Sequence, residues 1–364
     1  MFKILLPLIT LSISLQSFSQ NLVDKQANTK TSNLYQNLAT ISDDYTLFGH
    51  QYDMAYGVNW KAKKGRSDVR ETVGSYPAVH GWEVASLEGT YNIDSVKFSE
   101  MKVWIREVYQ RGGINSFTWH LNELAKGGAF GSSVKDVLPA GSRHSSFLEA
   151  LDDLASFAFS LKVPILFNLF DGHNSANYWW GKTHCEESEF IALWKFTVDY
   201  LKEIKKVHNF IYVYSPEASV MDFESLEKDY FYGYPGDDYV DALAVKAYNV
   251  ALADAGGSSV KLDIADFIKV TIFIDQQAKS KHKLAAVSET GQNQITDRQW
   301  FTKFILASLR ATPGIKISWI TFGANSDSAN YYIPFEDHPA VSDFRNFRNS
   351  SRMLFENDLE KIYE

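Results

Sequence analysis

Cysteine is almost absent from this chain. Cys185 is the only one in 364 residues, so no disulfide can form within the chain. A lone thiol beside His184 is more typical of an inert, half-buried residue than of a nucleophile. There is also no HExxH motif and no Cys/His pair at ligand spacing. The sequence therefore indicates no metal site, and it implies no cofactor.

An excess of positive charge and long apolar runs are missing as well. The net charge of −8 disfavours binding to nucleic acid or to an anionic membrane surface. One apolar stretch, Ile4 to Leu15, follows Lys3 and precedes the small residues Ser17 and Ser19. It is too short to span a bilayer and is typical of a cleaved signal peptide, here residues 1–19. We therefore expect no membrane insertion and a secreted or periplasmic protein.

Linkers, low-complexity segments and short repeats are not found after the signal. Residues 20–40 are predicted to be a polar leader, and 41–364 a single catalytic domain. A Gly-rich phosphate turn is absent after the first apolar run, which disfavours a doubly wound nucleotide-binding sheet. The Gly-x-Ser-x-Gly motif is also absent, which disfavours a serine hydrolase.

What the chain does contain is a recurring short apolar run that ends in polar or aromatic residues, with helical periodicity between several of the runs. Such near-continuous apolar runs indicate a parallel sheet covered on both faces. Eight of them predict a closed (β/α)₈ barrel, the TIM barrel, with an open doubly wound sheet as the alternative. The runs are DYTLFGHQ from Asp44, YPAVHGWEV from Tyr76, INSFTWHL from Ile114, VPILFNLFDGH from Val163, FIYVYSPEA from Phe210, DALAVKAYN from Asp241, KLAAVSETG from Lys283 and IKISWITFG from Ile315.

Polar residues follow these runs at the positions where the strands of a barrel end. In a barrel those ends meet at one face, so the side chains are predicted to form a site. A chain with 15% aromatic residues and many carboxylates suits a sugar ligand, and paired carboxylates suit cleavage of a glycosidic bond. The residues at these positions are His50, Glu83, His120, Asp171, His173, Glu217, Tyr248 and Glu289.

Several of these segments resemble a known family. LFGHQYDMAYGVNW, VGSYPAVHGWEV, GGINSFTWHLNELAKGG and VSETG are similar to motifs of family 26 glycoside hydrolases, the retaining endo-β-1,4-mannanases and their relatives. The resemblance runs from about Leu47 to the C-terminus. It implies the same barrel and a double displacement on a β-mannan-type polysaccharide, with Glu289 as the nucleophile. It also implies substrate-contacting or nucleophile-positioning roles for His120, Trp179, Trp180 and Tyr248.

One motif departs from the family pattern. Where the family has Phe-Arg-Pro-Phe-His-Glu, this chain has FNLFDG, so Gly172 stands at the position of the acid/base and Asp171 at that of the preceding His. Phe322-Gly323 similarly replaces a Trp-Arg pair near the eighth strand. His173 and Phe322 are counted as further candidate contacts for the substrate.

Three outcomes remain open for the chemistry. Asp171 could serve as the acid, with His173 or Glu217 as weaker substitutes. Alternatively, the substrate could have a good leaving group or carry its own acid. In the third outcome, the barrel is a secreted β-glycan-binding protein that has lost turnover. Hydrolysis by a retaining double displacement through Glu289 is the favoured interpretation, and the binding protein is the alternative.

Overall fold

Eight parallel strands form a closed barrel in the computed structural model, which describes residues 22–121, 133–248 and 262–364. The strands follow one another in chain order, and β10 pairs with β1 to close the cylinder. The predicted (β/α)₈ fold is therefore confirmed. The barrel strands are β1 (Thr46–Gln51), β4 (Val79–Glu83), β5 (Ile114–Thr118), β6 (Ile165–Asn168), β7 (Phe210–Tyr214), β8 (Ala242–Tyr248), β9 (Leu284–Gly291) and β10 (Trp319–Phe322).

Three short strands lie outside the cylinder. β2 (Tyr56–Gly57) and β3 (Trp60–Lys61) form a small hairpin, and β11 (Met353–Leu354) pairs with β1. The helices are α1 (Thr29–Ile41), α2 (Asp68–Val73), α3 (Phe98–Arg111), α4 (His144–Leu161), α5 (Glu187–Asp199), α6 (Leu226–Tyr230), α7 (Ile264–Lys281) and α8 (Val341–Arg348). Single turns of 3₁₀ helix cover Val134–Asp136, Ala218–Val220, Asp237–Tyr239, Asn293–Ile295 and Glu356–Asp358, and π-helical turns cover Tyr200–Ile204 and Phe301–Leu306.

Side chains alternate between the inside of the barrel and the helical layer, because successive residues of a strand point to opposite faces. In β8, Leu243 and Val245 pack into the outer cluster with the helices. Ala242 and Ala244 belong to the inner cluster, which fills the barrel. Lys246 and Tyr248 continue the inward series, so both point to the C-terminal mouth of the barrel. We call the inward residues at this mouth the strand-end rim.

The N-terminal segment differs from the polar leader expected for residues 20–40. Asn28 caps α1, and Leu34, Tyr35 and Leu38 are buried in the cluster that fills the barrel. Composition suggested a solvated segment, but its few apolar side chains share one face of a helix and cover apolar surface of the barrel. α1 is therefore packed as part of the barrel domain. Within the described ranges, no helix is long and apolar enough to cross a bilayer.

Candidate active site

Glu289 is turned toward the strand-end rim by a β-bulge in β9. Val245 of β8 pairs with Val287, but the next residue, Lys246, pairs with Glu289, which leaves Ser288 as an extra residue. A bulge of this kind re-aims the side chains that follow it. The Glu289 side chain is 18% exposed, and the Tyr248 hydroxyl hydrogen-bonds to it. The carboxylate is therefore both held in place and reachable from solvent.

Lys246 lies between two carboxylates of the rim. Its Nζ is 2.9 Å from Glu289 Oε2 and 3.6 Å from Asp171 Oδ2. Burial alone lowers the pKa of this lysine, but the neighbouring anions, Glu289 above all, raise it well above its ordinary value. The ammonium group is therefore charged. Sequence reasoning missed Lys246, although a lysine in the inward phase of the run DALAVKAYN was a signal that could have found it.

Asp171 lies in the loop after β6 and also points to the rim. Phe170 and Gly172 on either side of it have left-handed φ angles of 46° and 64°, which turn the loop so that Asp171 faces inward. Its Oδ1 is 2.8 Å from His120 Nε2. Burial raises the pKa of Asp171, but His120 and Lys246 outweigh it and hold this pKa well below its usual range. An ionised carboxylate has no proton to give, so this environment opposes the role of general acid.

His120 pairs with two carboxylates, Asp171 and Glu83, and so links the loop after β6 to the end of β4. Its Nδ1 is 2.6 Å from Glu83 Oε2, and its Nε2 faces Asp171. Burial lowers the pKa of His120, but the two carboxylates raise it well above its ordinary value, so the ring is an imidazolium. Charges thus alternate from Glu83 through His120, Asp171 and Lys246 to Glu289. We call these five residues the ionic chain.

Tyr178 lies beside Gly172, the glycine that the sequence predicts at the position of the family's acid. A Cβ atom built on Gly172 would lie 3.0 Å from Tyr178 Cε2. The Tyr178 ring stacks on His120 and on Trp180, with centroid distances of 5.0 and 4.6 Å. Its hydroxyl is 3.1 Å from His120 Nε2. A phenol ring, which sequence reasoning missed, therefore occupies space that a side chain at position 172 would need.

Trp179 and Trp180 donate hydrogen bonds to backbone carbonyls through their indole N–H groups. Both are buried. Trp179 Nε1 donates to the Leu121 carbonyl at 2.7 Å, and Trp180 Nε1 donates to the Asp171 carbonyl at 3.4 Å. Of the adjacent aromatic residues Tyr178, Trp179 and Trp180, Tyr178 is the one that is partly exposed. The two indoles therefore hold the loop in shape, and the structure does not present them as sugar-stacking surfaces.

Two further candidates for substrate contact do not reach the rim. His173 is 1% exposed, stacks on Phe190 at 4.4 Å and hydrogen-bonds to the Tyr232 carbonyl. Its burial lowers its pKa to about 4. Phe322 occupies the outward phase of β10 and packs in the outer cluster, 5.2 Å from the Phe48 ring. Both side chains belong to the packing between strands and helices, which corrects the expectation that they contact substrate.

Tyr332 packs against Gly323 at the mouth of the barrel. A Cβ atom on Gly323 would lie 2.8 Å from Tyr332 Cδ2 and 2.9 Å from the Tyr248 hydroxyl. The Tyr332 ring meets that of Tyr248 edge-on at 5.5 Å. Sequence reasoning missed this tyrosine because it comes from a loop, and its partners are distant in the chain.

Glu217 completes the group of carboxylates at the rim. It is a bridge partner of Lys246 on the side opposite to Glu289. Ser219 Oγ donates to Glu217 Oε1 at 2.9 Å. Burial raises the pKa of Glu217, and the charge of Glu289 adds to the rise, although Lys246 and Ser219 offset part of it. In the parts of the chain that the structure describes, no cluster of three or more His, Cys, Asp or Glu residues could hold a metal ion.

A (β/α)₈ barrel with carboxylates gathered at the C-terminal ends of its strands defines a class of protein, the barrel glycoside hydrolases. Comparison with known families narrows the class. The profile of glycosyl hydrolase family 26 matches residues 23–291. This chain belongs to that family.

Solved structures of the family are similar over nearly the whole chain. A family 26 β-mannanase from Bacteroides ovatus is 31% identical with a TM-score of 0.83, covering 93% of this chain and 98% of that one. The catalytic domain of a Bacillus sp. JAMB-750 endo-β-1,4-mannanase is 28% identical with a TM-score of 0.84, covering 94% and 95%.

Curated relatives match in sequence but are longer. A mannan endo-1,4-β-mannosidase from Bifidobacterium adolescentis is 27% identical over 363 residues, which is 92% of this chain but 35% of the relative. The enzyme of the same name from Bacillus subtilis strain 168 is 27% identical over 203 residues, half of this chain and 52% of the relative. The chain thus spans between about a third and a half of these relatives' lengths.

Proposed function

We propose that this chain hydrolyses a β-mannan-type polysaccharide by a retaining double displacement with Glu289 as the nucleophile. The observation that carries the proposal is the placement of Glu289. A bulge turns its carboxylate to the rim, solvent reaches it, and Lys246 and Tyr248 contact it. A nucleophilic carboxylate must hold its geometry, and these two contacts keep the Glu289 carboxylate in place. The similarity to mannan endo-1,4-β-mannosidases and to a β-mannanase supports mannan as the substrate.

In the first step, a Glu289 oxygen forms a bond to the anomeric carbon while the glycosidic bond breaks. The bonding pair leaves with the departing sugar oxygen, which needs a proton. In the second step, water attacks the anomeric carbon and releases Glu289. Asp171, ionised between His120 and Lys246, does not supply the proton of the first step. We assign the ionic chain to holding the rim, because its members satisfy one another's charges.

A second function is favoured by a specific observation. Gly172 stands where the family has its acid, and Tyr178 occupies the neighbouring space. General acid catalysis contributes about 10²–10⁴ in rate, so a site without any acid would bind a glycan and turn it over little. The alternative is therefore a secreted protein that binds β-linked glycans at the same rim.

Reducing-sugar release from β-1,4-mannan separates the two functions. We expect release by the wild type and a loss of at least about a thousandfold in Glu289→Gln, since the nucleophile is gone. Glu224→Gln is the matched control, because Glu224 is exposed and lies outside the rim. If the wild type binds manno-oligosaccharide in calorimetry but releases no sugar, the binding function stands instead.

We also propose that the protein is exported. The proposal rests on the signal-like residues 1–19. N-terminal sequencing of the protein from periplasmic and culture fractions tests it. An export signal predicts a mature chain that begins near residue 20, and an intact N-terminus on cytoplasmic protein contradicts it.

A further inference from the structure

We propose that Glu217 is the general acid/base of this site, in the role that the family assigns to the position of Gly172. This inference rests on the proposed function, because it assigns the proton transfer of the same double displacement. The reaction needs a proton donor beside the glycosidic oxygen. Position 172 is a glycine and Asp171 is ionised. Among the described residues of the rim, Glu217 is a further carboxyl group that can take this role.

The register of three neighbouring strands places Glu217 next to the nucleophile. Glu217 lies beside Lys246, and Lys246 lies beside Glu289, each as bridge partners. Ile211 and Val213 of β7 point into the barrel, so Glu217 continues the inward phase. Neighbouring strands are about 4.8 Å apart, which puts the two glutamate Cα atoms about 10 Å apart. Converging side chains from that distance can approach the carboxyl separation of about 5–5.5 Å that retaining enzymes use.

The backbone of Glu217 is fixed by the loop that carries Gly172. Asn174 Oδ1 accepts from the Glu217 backbone N–H at 2.7 Å, and Asn174 Nδ2 donates to the Glu217 carbonyl at 2.9 Å. The Asn174 side chain is buried, so this pair of hydrogen bonds is shielded from water. The Glu217 side chain is partly exposed and accepts a hydrogen bond from the Ser219 hydroxyl. The carboxyl group is thus anchored and still open to a ligand.

The pKa shifts of the rim carboxylates agree with the role proposed for Glu217. Burial raises the pKa of Glu217 by more than Lys246 and Ser219 lower it, whereas His120 and Lys246 outweigh burial at Asp171 and lower the pKa of that group. A site in which neighbouring carboxyls have their pKa values pushed apart assigns the acid to the group with the raised value. Asp171 and Glu217 differ in this sense, and Glu217 is the group whose pKa is raised.

The proton then moves as follows. As Glu289 bonds to the anomeric carbon, the Glu217 O–H proton passes to the glycosidic oxygen, which keeps the electron pair of the broken C–O bond. Glu217 is left as a carboxylate. It next removes a proton from the water that attacks the anomeric carbon, and the pair of the breaking ester C–O bond returns to Glu289. Both glutamates end in their starting states.

Leaving-group dependence tests the assignment. We measure kcat/KM for wild type, Glu217→Gln and Glu217→Ala on β-1,4-mannan and on a 2,4-dinitrophenyl manno-oligosaccharide. Removal of the acid should cut activity on mannan by about 10²–10⁴. Formation of the glycosyl-enzyme from the dinitrophenyl substrate should change little, because that leaving group needs no proton. Azide should accelerate Glu217→Ala and give a β-glycosyl azide, since an anion can enter the vacated space without base assistance.

Controls separate this inference from the proposed function. Glu224→Gln should keep wild-type rates, and circular dichroism should show that each variant is folded. The assignment is overturned if Glu217→Gln keeps its activity on mannan, or if azide rescues Asp171→Ala and not Glu217→Ala. Wild type that releases neither mannan sugar nor dinitrophenol overturns the proposed function together with the assignment, which is a different result from an active wild type that ignores Glu217.

Discussion

Lys246 lies between Asp171 and Glu289 and pairs with both carboxylates. Together with His120 it lowers the pKa of Asp171. The same cation that contacts Glu289, the proposed nucleophile, keeps Asp171 from donating a proton. Removing one partner from a buried ion pair is costly because the other charge stays buried. A substitution at one residue of the ionic chain should therefore change the pKa of its neighbour.

His120 reports on this dependence. Folding raises its pKa above the ordinary value of 6.5, so its ion pairs stabilise the protein fully below pH 6.5. That contribution is lost as the pH rises through the folded pKa. In Asp171→Asn we expect the His120 pKa to fall, because one of its two anions is gone. NMR titration of the imidazole signals measures the change. Asp238→Asn, an exposed control, should leave it unchanged, and an unaltered titration in Asp171→Asn would contradict the ionic chain.

Gly172 provides a second test at the residue scale. Its φ of 64° is unfavourable for a side chain, and a Cβ would press on Tyr178. Gly74 has a φ of 76° but nothing near its Cβ position, so it is a matched control for the backbone alone. Left-handed φ costs about 1–2 kcal/mol, so Gly74→Ala should lose about that much unfolding free energy in urea. Gly172→Ala should lose more, and equal losses would show that Tyr178 does not constrain position 172.

The same strain affects any attempt to restore the family's acid. A Gly172→Glu variant must adopt a left-handed backbone and displace the Tyr178 ring, which stacks on His120. The substitution would therefore alter the rim as well as add a carboxyl group. Changes at Glu217 avoid this difficulty because its backbone is extended, with a φ of −87°.

At the scale of the elements, the loop after β6 contains a buried histidine that makes its stability depend on pH. His173 is buried in this loop, and its pKa of about 4 lies below the ordinary 6.5. The unfolded chain therefore binds a proton that the folded chain rejects. The neutral ring therefore makes its full contribution to the free energy of unfolding above pH 6.5. That contribution, about 3 kcal/mol, is lost as the pH falls toward 4.

A His173→Phe variant should remove that dependence. Phenylalanine can keep the stack on Phe190 but cannot be protonated, so its unfolding free energy should change less between pH 6.5 and 4 than that of wild type. Urea denaturation across this range measures the difference. His184→Phe is the control, since His184 is exposed. Parallel pH profiles for wild type and His173→Phe would contradict the burial of a neutral imidazole.

At the scale of the whole molecule, the barrel was predictable because its strands are covered on both faces. Such strands read as continuous apolar runs, and their ends mark the rim where Glu289, His120 and Asp171 meet. The contacts within the rim were not predictable. Lys246 reaches Asp171 across the barrel, and Tyr178 fills space beside Gly172. Both depend on how a loop turns, which strand periodicity does not encode.

The packing of the N-terminal helix α1 was not predictable from the sequence. Its polar composition suggested a leader, but Leu34 and Leu38 share one face and are buried against the barrel. Two or three apolar residues at helical spacing are too few to separate a packed helix from a solvated segment by pattern alone. The surface that they cover is assembled from strands spread over the whole chain.

The central claim is that Glu289 attacks an anomeric carbon, and covalent trapping tests it most directly. A 2-deoxy-2-fluoro-β-mannosyl fluoride, extended by mannose where the cleft requires it, reacts slowly in both steps of the double displacement. Its fluoride departs without help from a general acid. Glycosylation can then proceed whichever residue is the acid, and the intermediate accumulates. Mass spectrometry of the digested protein should find the sugar on the peptide that contains Glu289 and none in Glu289→Gln. An unlabelled protein, or a label on another residue, would contradict the account.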